Sequence, residues 1–183
     1  MKKLNSNGIK TADQEWYGVD KLGILYPAVS SCVTVTCVVK GGLAGLHLAS
    51  LAFPAVTDAD IAEYGKVAQG ATAMYLVGML SLRWEDDSKE SKRNFTGLKY
   101  GAADGGTLIA RLREKTGFTG VVWVKDTSSL AGELEITATL AEGAVIFKVA
   151  ATNLAEQRLA DFTSIGGDVI LPPPNNSSRC VIL

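Results

Sequence analysis

The sequence holds a single histidine, His47, and three cysteines, Cys32, Cys37 and Cys180, among 183 residues. Any chemistry that needs an imidazole must therefore use His47. Zinc sites with four thiolates, or with two thiolates and two imidazoles, cannot be assembled within one chain. The odd cysteine count excludes a fully paired disulfide framework and points to a cytosol-like, reducing compartment. An excess of one charge is also missing: 18 Lys and Arg stand against 19 Asp and Glu, a net of −1. Phosphate-binding surfaces need a basic excess, so nucleic acid is not expected as a partner. The longest apolar stretch, Ala71 to Leu82, has about 12 residues, short of the roughly 20 that span a bilayer. No transmembrane helix is expected. The polar start, Met1 to Lys10, is not followed by the apolar core of a secretory signal.

What remains is 47% hydrophobic and 20% charged, the balance of a globular chain long enough to bury a core. Residues 1–20 are polar and read as a loosely attached arm, residues 21–171 as a single α+β domain, and residues 172–183 as an extended tail. Leu22 to Tyr26 leads into a turn at Pro27. Cys32 to Val39 is rich in Val and Thr, which is strand composition. Lys40-Gly41-Gly42 breaks that run and Leu43 to Phe53 resumes it, so a β-hairpin over about 32–53 is the strongest local unit. Asp58 to Val67, with Thr57 as N-cap, reads as a helix. Ala73 to Trp84 is apolar and is left open between strand and helix. Glu85 to Arg93 is a charged loop, and Gly101 to Gly106 a flexible connection.

Further along, Thr107 to Lys115 places Leu108, Ile109 and Leu112 on one helical face. Val121 to Val124 follows as a strand. Leu134 to Leu140 and Ala144 to Ala150 flank Glu142-Gly143 as a second hairpin. Asn153 to Phe162 suggests a helix and Asp168 to Leu171 a last strand. The expected architecture is α+β and sheet-dominated, with a β-sandwich-like core of mostly antiparallel strands and two or three peripheral helices.

Alternation along the first hairpin sorts its chemistry by face. Cys32, Thr34 and Thr36 share one face; Val33, Val35, Cys37 and Val39 share the other. Cys37 thus stands in an apolar row and reads as an inert core thiol. The same alternation removes the one zinc site the residue counts allow, three thiolates and an imidazole, because Cys32 and Cys37 point apart. No metal and no cofactor are expected. If Val39 to Gly42 form a four-residue loop, His47 lies opposite Thr34 and on the face of Cys32. The two would then be diagonal neighbours with Cβ atoms about 7–8 Å apart; a one-residue change in the loop would separate them to opposite faces. An imidazole beside a thiol makes it a thiolate and later supplies the leaving group's proton.

Ser30-Ser-Cys-Val-Thr-Val, followed by Gly41-Gly-Leu-Ala-Gly-Leu-His-Leu-Ala-Ser-Leu-Ala-Phe-Pro54, resembles the core of the bacterial chemoreceptor glutamine deamidases. There a Gly-Ser-Cys-Val-Ala-Val strand precedes a Gly-Gly-x-x-His-x-x-Leu-Pro strand. The same order of Cys and His recurs in the catalytic domain of cytotoxic necrotizing factors, which deamidate a glutamine of Rho-family GTPases. The resemblance covers about 25 residues. It implies Cys32 as nucleophile and His47 as general base, acting on a protein glutamine, with a small GTPase of a host cell as one candidate partner. Tyr26 stands where the chemoreceptor enzymes place a Thr, six positions before the Cys. Backbone N–H groups from Ser31 to Val33 would be the natural oxyanion donors. On this reading the chain is a cysteine-dependent hydrolase acting on a side-chain amide, in the manner of a bacterial effector or toxin. The alternative is a non-catalytic, lipid-tethered α+β interaction module. Oligomeric state is left open.

The final residues, Cys180-Val-Ile-Leu183, follow a Pro/Asn/Ser spacer and match the C-a-a-X prenylation pattern, with Leu pointing to geranylgeranyl. A chain delivered into a eukaryotic host would be tethered to membranes through Cys180, which raises the effective concentration of membrane-bound substrates.

Overall fold

The computed structural model describes residues 2–3, 10–11, 16–30, 32–48, 58–80, 106–130 and 132–165. In chain order these form strands β1 (Lys2–Lys3), β2 (Lys10–Thr11), β3 (Trp16–Asp20), β4 (Gly23–Val29), β5 (Val33–Val39) and β6 (Gly42–Leu48). Helix α1 (Asp58–Ala68), strand β7 (Ala73–Gly78) and helix α2 (Gly106–Thr116) come next. The series ends with β8 (Val122–Asp126), β9 (Leu134–Ala141), β10 (Ala144–Ala151), β11 (Leu154–Arg158) and β12 (Thr163–Ile165).

Two sheets result. One has seven strands in the order β1-β3-β6-β5-β7-β8-β12, the other five in the order β11-β10-β9-β4-β2. Pairing is antiparallel except between β1 and β3, β2 and β4, and β7 and β8. The architecture is α+β and sheet-dominated, with two helices among the described residues.

The Val- and Thr-rich hairpin sits in the middle of the larger sheet because both of its faces are covered. Val33, Val35 and Cys37 of β5 and Ala44, Leu46 and Leu48 of β6 pack toward the helices, against Ile61, Tyr64, Leu108 and Leu112. Leu43, Tyr75 and Val77 face the smaller sheet and meet Ile24, Tyr26, Ile136 and Phe147. Each fully buried Val, Leu, Ile or Phe among them contributes about 1.5–3 kcal/mol. The threonines of the inner face are tolerated there because their hydroxyls are bonded: Thr34 donates to the Val77 carbonyl at 2.9 Å, and Thr36 shares a hydrogen with the Tyr26 hydroxyl at 2.8 Å. Gly45 is required where the sheets approach. A Cβ there would stand 2.4 Å from Ile24 Cδ1 and 2.5 Å from the Tyr26 oxygen.

The hairpin register pairs Val39 with Gly42 and Thr34 with His47. The connection is thus the two residues Lys40 and Gly41 rather than a four-residue loop, and the expected facing of Thr34 and His47 is present. The second hairpin, β9–β10, closes at Glu142-Gly143 with Ala141 opposite Ala144. Helix α2 buries Leu108, Ile109 and Leu112 as its spacing predicts. The undecided stretch from Ala73 is a strand as far as Gly78.

Three further expectations differ from the structure. Asn153 to Phe162 is not a helix: Thr152 and Asn153 turn, and Leu154–Arg158 pairs antiparallel with β10. Helix propensity over so short a run is worth a few tenths of a kcal/mol per residue, less than helix nucleation costs; the adjacent open edge of β10 offers backbone partners instead. Residues 16–20 do not belong to a loose arm, because β3 pairs with β6 along its length. Pro27 is not at a turn but within β4, where Pro27 and Ala28 form a bulge opposite Glu135, with Ala28 at φ 56. A strand at Thr163–Ile165 was not anticipated. The N-cap Thr57, the loop Glu85 to Arg93, the strand Asp168 to Leu171, Ser31 and the tail with Cys180 lie outside the described residues.

Candidate functional site

Cys32 immediately precedes β5. Its side chain is 1% exposed and belongs to the core between the sheets, in one cluster with Val29, Val77 and Met79. The thiol makes a long hydrogen bond, 3.8 Å, to the carbonyl of Ala28, the bulged residue of β4. The Cys32 carbonyl accepts the Met79 N–H at 3.2 Å. The residue is therefore held from two sides, by the β4 bulge and by the exit of β7.

His47 lies near the end of β6 in a row that crosses the larger sheet: Trp16, His47, Thr34, Val77 and Lys125 are consecutive partners. It is fully buried. Cys32 is two residues before Thr34, so thiol and imidazole occupy diagonal positions on the inner face of neighbouring strands. The His47 ring meets the Tyr26 ring at 86°, centroids 6.0 Å apart. Tyr26 is itself anchored, since its hydroxyl bonds Thr36 Oγ1 at 2.8 Å and the Val35 carbonyl at 3.2 Å. Burial raises the Tyr26 pKa well above the usual phenol range, so it acts as a neutral group.

Val33, named as an oxyanion neighbour, is the first residue of β5. It is registered with Leu48 on one side and Gly78 on the other, and its side chain packs toward the helices. Its backbone is thus enclosed by the sheet ladder, and its side chain points away from Cys32. Ser31 and Cys180 have no described position. Cys37 faces the helices, where the Tyr64 hydroxyl lies 3.2 Å from its sulfur and 3.2 Å from the Ala44 carbonyl, its one hydrogen shared between them. Burial pushes the Cys37 thiol up to about 12, which leaves it protonated and unreactive near neutral pH.

Alternation along β5 already put Thr34 and Thr36 beside Cys32; the contact of Tyr26 with His47 depends on sheet stacking and has no local signal. Among the described residues, no group of three or more His, Cys, Asp and Glu side chains is placed to hold a metal ion. A cavity of about 320 Å³ opens at the β4 bulge, lined by Pro27, Ala28, Glu133 and Glu135 among others. A second, of about 540 Å³, lies between the C-terminal ends of α1 and α2, beside Lys66, Gln69 and Lys115. The sequence matches no model of a known protein family and none of the curated proteins.

Proposed function

We propose that the chain is a thiol-dependent protein glutamine deamidase, with Cys32 as nucleophile and His47 as general acid and base. The observation that carries this reading is the β5–β6 register, Thr34 opposite His47, which sets the thiol and the imidazole on one face of adjacent strands. Cys32 Sγ attacks the side-chain amide carbon and forms the C–S bond. The C–N bond then breaks, and His47 delivers a proton to the departing ammonia. Water attacks the thioester and gives up its proton to His47. The C–S bond breaks, leaving glutamate on the substrate and the thiolate on the enzyme. Conversion of Gln to Glu adds a negative charge with almost no change in shape, a modification suited to switching a partner such as a small GTPase.

A second reading has a specific observation in its favour. Cys32 and His47 are 1% and 0% exposed, and the imidazole is packed against Tyr26. A non-catalytic interaction module would use both as core residues.

Incubation with a purified Rho-family GTPase, followed by ammonia release and by the Gln-to-Glu mass shift, tests the first reading. Wild type is expected to convert its substrate, and Cys32→Ser and His47→Ala to lose at least about 10³-fold in rate. Activity retained in Cys32→Ser would sink it. Absence of conversion, together with a Cys32 no more reactive toward iodoacetamide than Cys37, would favour the module.

A further inference from the structure

The exits of β7 and β8 carry a network that reaches Cys32 and that the deamidase reading leaves unused. β7 and β8 run parallel with Gly78 beside Asp126, and Gly78 is also paired with Val33 of β5. Gly78 lies so close to β5 that a Cβ would stand 2.3 Å from the Cys32 carbonyl oxygen. Immediately after it the chain turns away, and the Met79 N–H bonds that same carbonyl at 3.2 Å. The turn is fixed from β8. Asp126 Oδ1 accepts the Leu80 N–H at 3.0 Å, together with the Ser128 N–H at 2.9 Å and the Ser128 hydroxyl at 2.5 Å. The Thr127 N–H closes the arrangement on the Gly78 carbonyl at 2.8 Å.

A carboxylate accepting three hydrogen bonds is a stiff anchor, since charge-assisted bonds are roughly twice as strong as neutral ones. The anchored atom is the Leu80 amide, one peptide beyond the Met79 amide that holds Cys32. On its other side the Cys32 thiol reaches the Ala28 carbonyl at 3.8 Å. The hold on the Cys32 main chain through the Met79 amide is the one that leads back to Asp126.

We propose that Asp126 is a positioning residue for Cys32, acting through the Met79–Leu80 backbone. It touches no reacting atom. It sets where the Cys32 main chain, and with it the thiol, stands relative to His47. The proposal rests on Cys32 being the nucleophile.

The test compares wild type, Asp126→Ala, Asp126→Asn and Ser128→Ala by two readouts on the full chain: the rate of Cys32 alkylation by iodoacetamide, with Cys37 as internal reference, and hydrogen exchange of the Leu80 amide. Asp126→Ala is expected to speed Leu80 exchange and slow Cys32 alkylation about tenfold or more, as an ångström-scale misplacement of a reacting group does. Asp126→Asn keeps an acceptor oxygen and should restore most of the rate; Ser128→Ala should fall between. If Asp126→Ala does not fold, the Asn and Ser128 variants carry the comparison. Any variant that speeds Leu80 exchange while Cys32 alkylation stays unchanged or rises would overturn the proposal. Wild-type Cys32 no more reactive than Cys37 would instead remove the deamidase reading, whatever the variants do.

Discussion

The rings of Tyr26 and His47 stand nearly perpendicular, 86° between their planes, with centroids 6.0 Å apart. One comes from each sheet, so the orientation of the single imidazole is tied to the stacking of the two. Tyr26 cannot drift, because its hydroxyl is bonded to β5 at Thr36 and Val35.

Tyr26→Phe keeps the ring against His47 and removes only the hydroxyl. Thr36 loses a buried partner, and stability should fall by about 1–2 kcal/mol in urea unfolding. Amide conversion by the folded protein should stay within about threefold of wild type. Tyr26→Ala removes the ring as well; it should cost about 3–5 kcal/mol and strongly reduce conversion in whatever fraction folds.

Gly45→Ala places a methyl group where Ile24 and Tyr26 already stand, at 2.4 and 2.5 Å. Both are ends of fully buried side chains that must shift within a packed core, so a loss of about 1–3 kcal/mol is expected. Because Tyr26 is displaced, the His47 imidazole resonances should shift in NMR spectra of the variant. An unshifted imidazole would mean that the ring contact does not set its position.

Cys37 gives the protein a pH dependence on the alkaline side. Its thiol is raised from 9.0 to about 12 by burial, so the folded state holds the proton that the unfolded chain releases. That contribution is fully present below pH 9.0 and is lost progressively as the pH rises toward about 12. The buried hydroxyls of Tyr26, Tyr64 and Tyr75 are shifted in the same direction and steepen the loss above pH 10.0. Urea midpoints measured from neutral pH upward should fall, and Cys37→Ala should fall less steeply over the same interval. Cys37→Ala should also leave amide conversion unchanged.

Lys148 and Glu156 pair at 2.7 Å across β10 and β11, with side chains about half exposed. Solvent screening limits such a pair, and Glu156→Gln should change stability by less than about 0.5 kcal/mol. A backbone substitution should matter more. Proline at both Gln157 and Arg158, the registered partners of Val149 and Lys148, removes the ladder N–H whichever of the two supplies it and is expected to detach that edge strand, read as loss of amide protection along β10. Were residues 154–158 helical in solution, β10 protection would be unaffected.

The face assignments of β5 and β6 were legible because strand alternation depends only on residue parity and the position of the Lys40-Gly41 turn. From these alone Cys32, Thr34 and His47 fall on one face and Cys37 on the other. Helix α2 and the β9–β10 hairpin were equally local, one written in the spacing of Leu108, Ile109 and Leu112, the other in Glu142-Gly143. Leu154 to Arg158 was not, because its composition favours a helix and its conformation is set by the open edge of β10. The same holds for β3, whose place beside β6 depends on a partner distant in sequence. Ala28 is a local neighbour of Cys32, four residues back along the chain, but Tyr26 beside His47, and Met79 and Asp126 beside Cys32, come from distant segments that only the stacking of two sheets and the β5–β7–β8 pairing bring together. Local periodicity decides which way a side chain points; what it points at is decided by long-range pairing.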